Sequence, residues 1–303
     1  MSKQHVAVVG LGSMGGAMAS ALRAAGWQVR GYDPSAAART AAEEAGVATV
    51  DRVEELAGTA YAVLSLPSAR VVEATVPALL GRPGTVALVD TTTSEPATSA
   101  ALAARAAERG AAFVDAPVSG GRDGALAGRL TAFVGGTESA LEAARPVLDD
   151  LTAGQYRHLG GPGSGNVVKL LNNVLAAVNL VSVGEALAVA QAYGVDPSAA
   201  AAGISGASGG SKVSAAMYPD WVLSGTHDSG FALGLMARDA ALAVEIAGQR
   251  GERPKLLAAA SERWQEALAA LGPGADFTEI ARTVAPSLCR DAAPTCREGA
   301  STA

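Results

Sequence analysis

The chain has 303 residues, 49% of them hydrophobic and 17% charged, with 36 glycines and a net charge of −6. That length exceeds one ordinary hydrophobic core, so two domains are expected, and the composition excludes a disordered chain or a coiled coil. No Lys/Arg cluster marks a nucleic-acid surface, and every apolar stretch meets a charge or a glycine short of the ~18 residues a membrane span needs.

In chain order, Met1 to Gln4 pass directly into an apolar run, which leaves no room for a signal peptide and points to the cytoplasm. Residues 5–9, 27–32, 61–65, 86–90 and 112–115 read as strands, and 14–25, 35–45, 69–79 and 97–109 carry helical spacing. Strand and helix alternating through short connections predict a parallel sheet wound on both faces, which 131–134 and 156–159 could extend. The pattern changes at Gly160-Gly161-Pro162-Gly163. From 166 to 193 there is no proline and one glycine, Gly184, so a single helix of roughly 40 Å is expected, stopped by Gly194. Asp196-Pro197 reads as cap and first position of the next helix. Helices then run to about 288, broken at 203–210, 219–230, 251–254 and 271–275. The two cysteines, Cys289 and Cys296, fall near the C-terminus and read as free thiols.

Gly10-Leu11-Gly12-Ser13-Met14-Gly15 follows the first strand and opens the first helix. Glycines there permit a tight turn and bring backbone N–H groups close to a pyrophosphate at a helix N-terminus. Asp33, at the end of the second strand, suits the ribose 2′-hydroxyl of NAD and repels the 2′-phosphate of NADP. Asp33-Pro34 also fits a plain helix cap, and Arg30 and Arg39 lie near enough in sequence to soften the repulsion. The fold expected is α/β: a Rossmann-type doubly wound sheet over 1–162, then a long inter-domain helix and an all-α C-terminal domain over 163–288, with a loose tail over 289–303.

Of 23 basic residues only Lys3, Lys169, Lys212 and Lys255 are lysines. Where charge alone would serve, this chain uses arginine. Lys169 lies in Val167-Val168-Lys169-Leu170-Leu171, surroundings in which desolvation lets a lysine exchange protons near neutral pH, as arginine cannot. Asn173, four positions on, shares its helical face. The same pattern fits a lysine whose aliphatic stem lies along a half-buried helix. Asp115-Ala116-Pro117-Val118-Ser119-Gly120-Gly121 closes a strand, where ligands of open α/β sheets bind. Its hydroxyl and adjacent N–H groups could hold an anion, although a plain turn has the same composition.

Taken together the chain resembles the β-hydroxyacid dehydrogenase family, which includes 3-hydroxyisobutyrate dehydrogenase, tartronate semialdehyde reductase and L-threonate dehydrogenase. Four blocks match in order. They are the 10–15 loop; 115–121 with Gly128 and Gly135-Gly136; 163–173 with Lys169 and Asn173; and Phe231 through Arg238-Asp239. The resemblance implies that Lys169 is the general acid/base, that Ser119, Gly120, Gly121, Asn173, Phe231 and Asp239 serve the substrate, and that Leu66, Pro67, Thr93 and Arg238 lie by the cofactor. It implies hydride exchange between a small hydroxyacid and NAD, in a cleft between the two domains. Arg238 departs from the lysine usual there, and the Gly/Ser-rich segment 204–211 departs where family members contact distinguishing substrate groups. An imine or aldehyde reductase, or a non-catalytic dinucleotide-binding module, shares the architecture. Imine reductases usually lack a lysine at position 169, and a non-catalytic relative should have lost it. The three histidines, His5, His158 and His227, lack ligand spacing, so no metal is expected. Wide apolar faces over 231–247 and 256–271 suggest a homodimer or homotetramer through the helical region, unless they pack on the long helix.

Overall fold

A computed structural model describes residues 4–289, and the chain divides into two compact units between Leu170 and Leu171. Cys296 and the expected tail beyond Cys289 lie outside the described residues.

The first unit is built on a six-stranded parallel sheet in the order β3-β2-β1-β4-β5-β6. Its strands are β1 (His5–Val9), β2 (Gln28–Tyr32), β3 (Ala48–Thr49), β4 (Tyr61–Leu64), β5 (Ala87–Asp90) and β6 (Ala112–Asp115). The helices between them are α1 (Ser13–Ala24), α2 (Ala36–Glu44), α3 (Ala69–Leu79) and α4 (Pro96–Ala107). Every residue of β4 and β5 is buried, because helices cover both faces of a parallel sheet. Alternation along β1 divides the core: Val6 and Val8 pack with Met18 and Leu22 of α1, while Ala7 and Val9 pack with Val72, Leu79 and Leu102 of α3 and α4.

The runs at 131–134 and 156–158 are strands, but they do not extend this sheet. With β7 (Val118–Ser119), β8 (Thr131–Val134) and β9 (Tyr156–His158) form a separate three-stranded sheet, tied to β6 by a single bridge between Asp115 and Gly135. Pro117, without an N–H to donate, ends β6, and Gly120 at φ 129° turns the chain so that β7 pairs antiparallel to β8. The structure adds α5 (Gly121–Leu126) and α6 (Glu138–Thr152) to the predicted elements.

Helix α7 (Ser164–Ala192) begins in the first unit and carries the chain into the second. The second unit continues with α8 (Pro197–Ser205), a π-helix (Val213–Leu223), α9 (Leu233–Gln249), α10 (Lys255–Leu271) and α11 (Ala281–Val284). Gly194 ends α7 at φ 81°, and the Asp196 carboxylate accepts from Ala199 N–H at 2.9 Å ahead of Pro197, the expected start of α8. The break expected from Pro219 does not occur there: Pro219 sits within the π-helix, whose wider turns do not need the i→i−4 bond that proline cannot make. Val174, Ala177, Leu180 and Leu187 form the buried stripe of α7. Trp264 Nε1 donates to Ala177 O at 3.2 Å and Tyr218 Oη to Leu180 O at 2.8 Å. A Cβ on Gly184 would stand 2.2 Å from the Tyr218 hydroxyl, which explains the one glycine inside this helix. By length and composition α7 could cross a membrane, and half of that stretch is buried within the protein.

Candidate functional site

The predicted cofactor residues of the first unit gather at the carboxyl ends of its parallel strands, on both sides of the β1/β4 switch in strand order. Gly10 follows β1 at φ 89°, and a Cβ there would lie 2.1 Å from Ser65 O. A Cβ on Gly15 would lie 1.8 Å from Gly10 O. Gly12 differs: at φ −64° its missing Cβ would meet nothing within 4 Å. The protein's own packing therefore demands Gly10 and Gly15 but not Gly12. The start of α1 at Gly12 and Ser13 has no side-chain cap and no acidic residue in its first turn. An open, uncapped helix start beside a bare glycine is the cradle a pyrophosphate needs, so these residues fit a dinucleotide.

Asp33 closes β2 and ties it to the loop: Oδ2 accepts from Leu11 N–H and Oδ1 from Ser35 N–H, both at 2.8 Å. Ser35, not Asp33, caps α2. The Leu11 side chain is buried against Gly31, so only its backbone serves the loop. Arg39 donates to Asp33 O at 2.7 Å and pairs with Asp51 at 3.7 Å, while Arg30 donates to Glu55 O at 3.2 Å. Across the switch, Leu66 N–H donates to Thr92 Oγ1 at 3.1 Å, which joins the 66–67 turn to the 92–93 step; Thr93 beside it is half-buried.

Beyond these lies a buried polar frame whose parts the sequence reading did not assign to the site. Strands β5 and β6 each end an apolar run in an acid, and in register Asp90 stands beside Asp115. Asp115 accepts from Gly163 N–H at 2.7 Å through Oδ1 and from Asn166 N–H at 2.9 Å through Oδ2. Asn166 in turn accepts from Ser94 N–H at 2.9 Å and donates to Ser99 Oγ at 3.0 Å. Burial pushes the Asp115 carboxyl up to about 6 against the pull of these N–H groups. Asp90 is pushed up to about 7 by complete burial, opposed by its bonds from Thr92 and aided by the Asp115 charge. Its Oδ2 has no hydrogen-bond partner. The visible signal was the repeated apolar-strand-then-acid pattern; the partners 48 and 51 residues away were not readable. Lys169, 8% exposed, lies in the second turn of the helix that this frame starts. Ser119, Gly120 and Gly121 lie at the half-buried to exposed junction of β7 and α5.

In the second unit Asn173 is buried, donating from Nδ2 to Asp239 Oδ2 at 2.7 Å and accepting from Asn172 at 3.1 Å. Arg238 holds the other Asp239 oxygen through Nε at 3.0 Å and an Nη at 2.8 Å. Asp239, assigned to the substrate from the resemblance, is thus the clamp that orients Asn173. Phe231 packs edge-on against Phe277, ring centroids 5.5 Å apart, in an aromatic cluster with Trp221 and Trp264.

A glycine cradle at the end of β1 and a carboxylate at the end of β2 define a dinucleotide-dependent oxidoreductase, and comparison with known proteins agrees. Residues 5–161 match the model of the NAD binding domain of 6-phosphogluconate dehydrogenase. Residues 163–284 match that of the NAD-binding of NADP-dependent 3-hydroxyisobutyrate dehydrogenase. The chain is 34% identical to 2-(hydroxymethyl)glutarate dehydrogenase of Eubacterium barkeri, over 89% of this chain and 90% of that one. It is 35% identical to the NAD-dependent L-serine dehydrogenase of Pseudomonas aeruginosa, over 80% and 85%. Its structure matches Mycobacterium tuberculosis 3-hydroxyisobutyrate dehydrogenase with L-serine at a TM-score of 0.86 and 31% identity, over 94% and 99%. The chain belongs to the 3-hydroxyisobutyrate dehydrogenase family of NAD(P)-dependent β-hydroxyacid dehydrogenases.

Proposed function

We propose that this enzyme interconverts a small β-hydroxyacid and its semialdehyde, with NAD preferred over NADP and Lys169 as the proton carrier. The observation that carries the reading is Lys169 itself, buried in the second turn of α7 in a chain that otherwise favours arginine. When bound, the nicotinamide accepts or returns a hydride. Ser119 Oγ and the N–H groups of Gly120 and Gly121 hold the substrate carboxylate, and so fix which carbon bears the reacting hydroxyl. Lys169, in its neutral form, takes the proton from that hydroxyl in oxidation and returns it to the carbonyl oxygen in reduction. Asn173, one turn on, is the further donor to substrate, oriented by Asp239. For Phe231 and Arg238 the family pattern, rather than their surroundings in the second unit, supports contact with substrate and cofactor.

NAD preference rests on Asp33 and on the two nearby arginines, both engaged with backbone carbonyls. Each oxygen of Asp33 keeps a lone pair for a ribose hydroxyl, while its charge opposes a phosphate. A homodimer or homotetramer is supported by Leu175 and Val189, 56% and 59% exposed on α7, and Tyr193, 86% exposed just past its end, although α9 and α10 pack against each other. Light scattering that finds a monomer at micromolar concentration removes the oligomer.

The test is turnover of 3-hydroxyisobutyrate, L-serine and their homologues with each cofactor. A kcat/KM about tenfold better with NADP overturns the cofactor preference, and no turnover of any β-hydroxyacid overturns the substrate class. Gly12→Ala separates site from scaffold: melting unchanged, because no protein atom lies within 4 Å of that Cβ, with NAD affinity down by about tenfold or more as the methyl meets the bound pyrophosphate.

A further inference from the structure

Where an α-helix among the described residues has a local side-chain cap, the cap is a single bond accepted by the residue just before the helix. Ser35, Thr137 and Asp196 each cap their own helix by accepting one N–H, from Ala38, Ala140 and Ala199. At α7 the acceptor comes from a different strand, is buried, and uses both oxygens. The approach is closed on every side. A Cβ on Gly165 would stand 2.2 Å from Phe133 O and 2.9 Å from Asp115 Oδ2; one on Gly135 would stand 2.5 Å from Asp115 Oδ1 and 2.7 Å from Gly165 N. One on Gly163 would stand 2.6 Å from Pro96 O. The carboxylate is therefore wedged between two glycines, with the helix start on one side and the end of β8 on the other.

We propose that Asp115 is the positioning residue for Lys169: by binding Gly163 N–H and Asn166 N–H at once it sets the rotation and height of the first turn of α7. Two bonds three residues apart, each to its own carboxylate oxygen, define a helix's rotation where one bond would not, and a serine or threonine has only one side-chain oxygen to offer. Lys169 follows Asn166 by about 4.5 Å along the axis, so a small error at the cap is carried directly to the ammonium group. Asp115 also ends the strand that leads, four residues on, into Ser119. One carboxylate thus references the proton carrier to the segment that holds the substrate carboxylate. Burying an acid at this cost, where a neutral cap would start the helix more cheaply, is consistent with a demand for position over stability.

This inference rests on Lys169 as the proton carrier, and its test is chosen to separate the two. The full-length enzyme labelled with carbon-13 at lysine Cε has four lysines, and Lys169→Arg identifies the Lys169 signal. Asp115→Asn keeps the shape but replaces one acceptor by a donor. It should move the Lys169 signal and its titration midpoint by roughly half a pH unit or more, leave Lys212 and Lys255 unmoved, and lower kcat about ten- to a hundredfold. A folded Asp115→Asn enzyme whose Lys169 signal and midpoint match the parent overturns the proposal. Should that variant not fold, Ser99→Ala loosens the same frame through Asn166; a smaller shift in the same signal supports the proposal, and none overturns it. Lys169→Ala that retains turnover would remove the proton-carrier role while leaving this readout of placement intact.

Discussion

Two buried aspartates, Asp115 and Asp239, hold polar groups of the same long helix, and they do so by different physics. Asp115 meets only backbone N–H groups, and its carboxyl is raised to about 6 because hydrogen bonds alone do not replace lost hydration. Asp239 shares its charge with the Arg238 guanidinium at 2.8 Å, a group 39% exposed, and gives its remaining oxygen to Asn173. The first arrangement holds backbone and is closely packed, with Gly135 and Gly165 against the carboxylate. The second holds a side chain and can yield to a ligand. Lys169 therefore follows the backbone-held start of the helix, and Asn173 is held by the side-chain clamp.

Lys169 lies between the two, three residues after Asn166 and four before Asn173, and the largest expected effect is there. Lys169→Ala should lower kcat by about a hundredfold or more while leaving NAD binding and melting unchanged. Lys169→Arg should be nearly as poor, since guanidinium keeps its proton at working pH. An arginine variant with near-parental kcat and a shifted KM would make the residue an electrostatic anchor instead.

Replacing the two acids in turn should separate the supports. Asp115→Ala leaves two buried N–H groups without an acceptor and should cost about 2–4 kcal/mol in denaturant unfolding. Asp239→Ala leaves a guanidinium that water can reach and should cost about 1–2 kcal/mol, while raising KM for substrate more than it lowers kcat. Equal losses would mean that the contrast between the two regions is only apparent.

The smallest effect concerns Asp90, the neighbour that sharpens the Asp115 case. Its folded carboxyl titrates at about 7 and an ordinary one at 3.8. Between those values the folded enzyme holds a proton that the unfolded chain has released, so stability falls as pH rises through that window. Asp90→Asn removes that dependence. The difference in melting temperature should shift in the variant's favour by about 3 °C between pH 5 and pH 8. A constant difference across that range would show that Asp90 is charged in the folded enzyme throughout.

Much of this was legible from local chemistry. The 10–15 loop declared itself because glycine spacing after a strand has few other uses, and the long helix because a run without proline and with one glycine has no other stable form. Pro219 misled because a π-helix is stabilised by its surroundings, not by the propensity of its residues. Residues 131–134 and 156–158 were recognisable as strands but not as partners of one another, since strand type is local and pairing is not.

By itself the sequence determined the winding of the sheet, the glycine turn after the first strand, the long helix and the family. Backbone conformation and hydrophobic period are properties of neighbouring residues, so they can be read in order along the chain. Only the tertiary structure decided that Gly12 faces open space while Gly15 does not, that Asp239 is a clamp, and that Asp115 joins a strand end to a helix start. Each of these depends on which atoms from distant parts of the chain fill one small volume, and the burial that makes such contacts decisive exists only once the chain has closed around them.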